Sequence, residues 1–87
     1  MKLVEISDIK RKESLISYIR TYLAKAVFQE DSTKSVEIPI EFKCEHAPTG
    51  DIHISVSLLK EIDYPVADIT QMLKHRIAKL EKEGSLN

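Results

Sequence analysis

Between Ser35 and His46 the chain alternates without interruption. Val36, Ile38, Ile40, Phe42 and Cys44 fall on one side, and Glu37, Pro39, Glu41, Lys43 and Glu45 on the other. A period of two over this length predicts a half-buried β-strand. Asp51 to Leu58 repeats the pattern, with Ile52, Ile54, Val56 and Leu58 against His53, Ser55 and Ser57. Ala47-Pro48-Thr49-Gly50 connects the two, so the pair reads as a hairpin.

Directly paired residues share a face, so the two apolar sets must meet across the ladder. A four-residue loop over 47–50 would oppose Lys43 and Ile54 and is excluded. A three-residue loop of Pro48, Thr49 and Gly50 pairs Cys44 with Ile54, Phe42 with Val56 and Ile40 with Leu58. Proline suits the first loop position and glycine the left-handed third. Pro39 lacks an amide hydrogen, which predicts that the first of these strands is a sheet edge at that point.

On either side the period changes. From Ile9 to Phe28, Leu15, Ile16, Ile19, Tyr22, Leu23, Ala26 and Val27 recur at steps of three and four, the pattern of an amphipathic helix capped by Ser7 or Asp8. Gln29 to Lys34 is polar and aperiodic and reads as a loop. Tyr64-Pro65 opens a second helix with the stripe Val66, Ile69, Met72, Leu73, Ile77 and Leu80, and Gly84 stands where it should stop. Ser85 to Asn87 reads as a frayed tail.

The predicted fold is therefore α+β, a two-layer sandwich of order α-β-β-α with both helices on one face of a small antiparallel sheet. The order becomes β-α-β-β-α if residues 1–6 add a strand. The 87 residues, 43% hydrophobic and 31% charged, suit one globular domain with little core to spare for a carved pocket. Size alone thus favours surface binding over catalysis.

Charge and cysteine usage narrow the setting. Residues 1–28 carry six basic and three acidic side chains, whereas 29–63 carry three and eight, for a net charge of −1 over the chain. The helical segments are mildly basic and the middle is acidic. Cys44 is the lone cysteine and has no partner for an internal disulfide, which points to a reducing compartment. Glu5 and Asp8 interrupt the N-terminal segment before a signal-peptide length of apolar residues accumulates, and no stretch approaches the roughly 20 apolar residues of a membrane span. The expectation is a soluble, cytoplasmic protein with no membrane partner.

Candidate chemistry is sparse. Cys44, His46 and His53 flank the turn like zinc ligands, but strand parity puts Cys44 and His46 on the apolar face and His53 on the other. The same parity separates a Cys–His catalytic pair. His75 falls on the polar side of the last helix. Two glycines cannot supply a phosphate-cradling loop. The reading assigns no catalytic residue, no metal and no cofactor, and describes the protein as not an enzyme.

Two binding readings remain. The preferred one is a non-enzymatic protein–protein interaction module, an adaptor, regulator or assembly subunit that pairs with a protein partner or with itself as a homodimer. Its expected surface is the outer hairpin face, with Glu37, Pro39, Glu41, Glu45, His53 and Leu59. Pro39 and Leu59 would be opposite there, with Ile62 and Tyr64 close by; these last either extend the patch or turn into the core. The alternative is a nucleic-acid-binding module using Lys10, Arg11, Arg20, Lys74 and Arg76 on the two helices. It lacks a domain-wide basic excess, a GxxG loop and a base-stacking aromatic face.

Overall fold

The segment from Ile19 to Gln29 is a strand, not the expected helix. Its sequence fits either period because it carries apolar residues on both sides: Tyr22, Ala24, Ala26 and Phe28 at even positions, Ile19, Leu23 and Val27 at odd ones. Ile19, Thr21, Tyr22, Val27 and Phe28 are β-branched or aromatic, and such side chains pack well on a pleated surface. The even set is buried and the odd set faces outward. Pairing with a neighbouring strand decided between two patterns that local spacing left balanced.

The computed structural model describes residues 2–13 and 18–84. Leu15 and Ile16 of the expected stripe, Met1 and the 85–87 tail lie outside them. Within them the order is β1 (Lys2–Lys12), β2 (Ile19–Gln29), β3 (Ser35–His46), β4 (Ile52–Leu58) and α1 (Val66–Lys82). The strands form one antiparallel meander in the order β1-β2-β3-β4. The fold is thus four strands and one C-terminal helix, which replaces the two-helix α-β-β-α arrangement.

Irregular pairing in β1 explains the misreading of its sequence. Leu3, Ile6 and Ile9 all contribute to the core although they are three residues apart. Val4 is inserted between the pairs Leu3–Phe28 and Glu5–Val27, and Asp8 with Ile9 stands opposite Ala24 alone. Each inserted residue turns a step of two into a step of three. Asp8, expected to cap a helix, instead has φ +52°, a left-handed conformation that Asp tolerates better than most residues. The strand left open at 1–6 therefore exists, and it continues to Lys12.

The β3–β4 hairpin has the register that parity required, with Cys44–Ile54, Phe42–Val56 and Ile40–Leu58 paired. The Ala47 amide donates to the Asp51 carbonyl at 2.8 Å and the Gly50 amide to the Ala47 carbonyl at 2.9 Å, closing a loop of Pro48, Thr49 and Gly50. Gly50 has φ +94°, where a Cβ would be strained. The β2–β3 turn is closed by the Glu30 amide on the Lys34 carbonyl at 3.0 Å. The Asp31 carboxylate accepts from the Thr33 amide at 2.8 Å and its hydroxyl at 3.0 Å. These bonds hold the exposed Asp31 carboxyl below its ordinary pKa, the backbone amide contributing most.

Pro39 is not in an edge strand, since β3 lies between β2 and β4. Its carbonyl accepts from the Leu59 amide at 2.9 Å, so its ring nitrogen also points toward β4, where that strand ends. The missing donor is tolerated at a ladder end rather than at a sheet edge.

α1 begins after Pro65, whose carbonyl accepts from the Ile69 amide at 3.2 Å, and stops at Gly84 with φ +72°. Asp68 in the first turn and Lys79 and Lys82 in the last complement the helix dipole. Ile69, Leu73 and Ile77 are buried; Val66, from the same expected stripe, is 55% exposed. The core joins them to Leu3, Tyr22, Ala24, Ala26, Phe28, Ile38, Ile40, Phe42 and Cys44. Tyr22 and Phe42 stack with centroids 5.0 Å apart and planes at 19°.

Candidate functional site

Where the C-terminal end of α1 meets the sheet, a polar cluster interrupts the core. Arg20 of β2 pairs directly with Cys44 of β3 and points to the helix side. Its guanidinium donates to Glu81 Oε1 from the last turns of α1, contacts His46 Nε2 at 2.9 Å and donates to the Tyr22 hydroxyl at 3.3 Å. The Arg20 and Glu81 side chains are each only 15% exposed. Burial opposes the Arg20 charge, but the hydrogen bond to Glu81 and nearby negative groups outweigh it, and the pKa is raised. Arginine cannot donate to a protonated Nε2, so this contact requires a neutral His46 with its proton on Nδ1. The cluster ties α1 to two strands.

Beneath it Cys44 is completely buried. Burial first, and the Glu81 carboxylate second, raise its pKa above the ordinary thiol value, against a smaller opposing effect of Arg20. A thiol held protonated is a poor nucleophile. Because the folded-state pKa lies above the unfolded one, its contribution to stability is complete below the unfolded value and declines as pH rises through it toward the folded one. Urea titrations above about pH 8.5 should show stability falling with pH, with a shallower slope in Cys44→Val. Equal slopes would remove Cys44 as the origin.

The expected outer-face residues do share one surface. Glu37, Pro39, Glu41 and Glu45 line the face of β3 away from α1, and His53 pairs with Glu45. β1 and β2 add lysines that the hairpin alone did not reveal. Lys12 Nζ lies 3.6 Å from Glu41 Oε2, Lys25 pairs directly with Pro39, and Lys25 Nζ lies 3.5 Å from Asp8 Oδ2. The face therefore has mixed charge. Ile62 and Tyr64 pack against the core, leaving Leu59 51% exposed beside them. The broad apolar patch does not form.

The basic candidates are dispersed. Lys10 and Arg11 are consecutive on β1 and point to opposite faces, and the first helix that was to carry them with Arg20 is absent. Arg20 is engaged by Glu81. On α1, Arg76 donates to the Val4 carbonyl at 3.3 Å, and Lys74 is half-buried.

What the sequence reading missed is the contrast between the two sheet edges. β1 carries both irregularities, a left-handed Asp8, and Lys2, Lys10, Arg11 and Lys12, all devices that discourage pairing with another chain. β4 has a regular register, no proline and no charged residue. The Leu59 amide donates inward to Pro39 and the Asp51 carbonyl accepts inward from Ala47. Odd-numbered residues of β4 thus address β3, and the N–H and C=O groups of Ile52, Ile54, Val56 and Leu58 address the open edge. Ile52 is 39% exposed, and Ile54, Val56 and Leu58 are only partly covered. The signal was present in Ile52–Leu58 but had no meaning until the strand order was known.

Among the described residues no group of three or more His, Cys, Asp or Glu side chains is arranged to hold a metal ion. No helix among them is long and apolar enough to cross a membrane. Neither a curated protein nor a solved structure matches the chain. One family model does, over residues 1–82 and hence nearly the whole length, and the chain belongs to the BB_0187 family.

Proposed function

We propose that this protein is a non-enzymatic protein-interaction module that binds by strand addition at the open edge of β4. The observation that carries the reading is the asymmetry of the sheet, with a bulged, charged β1 edge and a regular, uncharged β4 edge lined by half-covered Ile and Val. In strand addition, edge hydrogen bonds supply affinity and alternate side chains supply specificity. Here the alternate set is Ile52, Ile54, Val56 and Leu58 on the α1 side, continued by the exposed Val66. The mixed-charge outer face, with Glu37, Glu41, Glu45 and His53, is the polar flank of that edge. The same reading places the module in the cytoplasm, supported by a single buried cysteine.

Val56→Pro tests it. The Val56 amide addresses the open edge, so proline removes an edge donor without removing a ladder bond to β3, and Ser55 before it is already extended. Tagged wild-type protein recovered from its native cells should bring a protein partner that the folded Val56→Pro variant loses. Equal recovery by both, with unchanged circular dichroism, would exclude the β4 edge.

A further inference from the structure

The strand β4 is nearly its own complement. Reversed about Ser55, Ile-His-Ile-Ser-Val-Ser-Leu puts Ile54 opposite Val56, Ile52 opposite Leu58 and His53 opposite Ser57. We infer that the occupant of the open edge is a second copy of this chain, paired antiparallel through β4 about a two-fold axis at Ser55. This rests on the strand-addition reading and names its partner.

Hydrogen-bond parity supports this centre. The outward groups belong to the even residues, and a Ser55 axis pairs even with even throughout. Every outward N–H and C=O from Ile52 to Leu58 of both copies then has a partner. Moving the axis to Ile54 or Val56 leaves one end of the set facing loop residues, Leu58 against Gly50 or Ile52 against Lys60. With no charged residue in β4, the ladder has no like-charge opposition. Beyond its ends, the Lys60 segment of one copy meets the Gly50–Asp51 segment of the other, opposite charges at both ends.

The packing is consistent with the same axis. A two-fold perpendicular to the sheet keeps its faces, so the apolar side chains of both β4 strands lie on the side bearing both helices. The cleft between β4 and the start of α1, lined by Val56, Leu58, Ile62, Val66 and Thr70, then opens toward its own symmetry mate. The two four-stranded sheets become one continuous sheet, with the guarded β1 edges at its two ends.

Cysteine pairing tests the register. Ser55 faces its mate at a position without direct hydrogen bonds, where Cα atoms stand about 4.5 Å apart, within disulfide range. Under mild oxidation Ser55→Cys should give a covalent dimer, Ser57→Cys alone should not, and His53→Cys mixed with Ser57→Cys should cross-link. All three side chains are exposed, and native Cys44 is buried. The wild-type chain should sediment at twice 9.9 kDa at high micromolar concentration, and Ile52→Lys, which places an ammonium beside Leu58 and Lys60 of the mate, should return it to monomer. A dimer that cross-links through Ser57 alone, or at neither position, would overturn the register. A wild-type monomer with no Ser55 cross-link would overturn self-pairing. Strand addition to a different protein is decided separately, by partner recovery with Val56→Pro.

Discussion

Phe42→Ala is expected to remove most of the stability of this protein. Phe42 is fully buried at the middle of β3, stacks on Tyr22 across β2 and pairs with Val56 of β4. Truncating a buried Phe costs about 3–5 kcal/mol, the lost transfer energy plus the cavity left behind. A chain of 87 residues has roughly 4–13 kcal/mol in total. Its neighbours cannot close the gap, because Tyr22 and Val56 are fixed by strand pairing and Ala24 is too small to fill it. Urea unfolding should show a much lower midpoint with an unchanged slope. Leu23→Ala, on the exposed outer face, should stay within about 0.5 kcal/mol of wild type. A Phe42→Ala loss below about 1 kcal/mol would mean that the core is not centred on β2 and β3 as described.

The second large effect concerns the cluster at the end of α1. Glu81→Ala leaves the Arg20 guanidinium mostly out of water without its carboxylate, and its Nε already has no hydrogen-bond partner. Removing one member of a fully buried ion pair costs about 3–5 kcal/mol; with both side chains 15% exposed, about 2–3 kcal/mol is expected. The loss reflects a stranded charge more than the net value of the pair. Arg20→Met combined with Glu81→Leu should therefore recover most of it, giving a coupling energy above about 1 kcal/mol in a double-mutant cycle. Additive single effects would show that the two side chains do not act together. His46, which accepts from Arg20 in its neutral form, should contribute less, since its side chain is 45% exposed.

Interaction through β4 and stability through this cluster are separable. Arg20, Glu81 and Cys44 secure α1 on the face of the sheet, whereas Ile52, Ile54, Val56 and Leu58 present backbone groups to its edge. Substitutions at the first set should alter unfolding, and those at exposed edge positions should alter association.

Three features were legible in the sequence because each depends on neighbours close along the chain. The β3–β4 register followed from parity, since one shift would have put Lys43 against Ile54. The helix from Val66 followed from a single apolar stripe with Pro65 before it and Gly84 after it. The loop over 30–34 followed from a polar stretch without period. In each case one pattern satisfied the local constraints.

The remainder was decided by contacts distant in sequence. In β2, apolar residues on both sides satisfied a period of 3.6 as well as one of 2, and only pairing with β1 and β3 selected the strand. Bulges at Val4 and at Asp8–Ile9 gave Leu3, Ile6 and Ile9 a helix-like spacing on a sheet face. Arg20 read as a free cation until α1 brought Glu81 to it across the fold. The open edge was hidden for the same reason: Ile52–Leu58 specified a strand, but whether it had one neighbour or two depended on where every other strand lay.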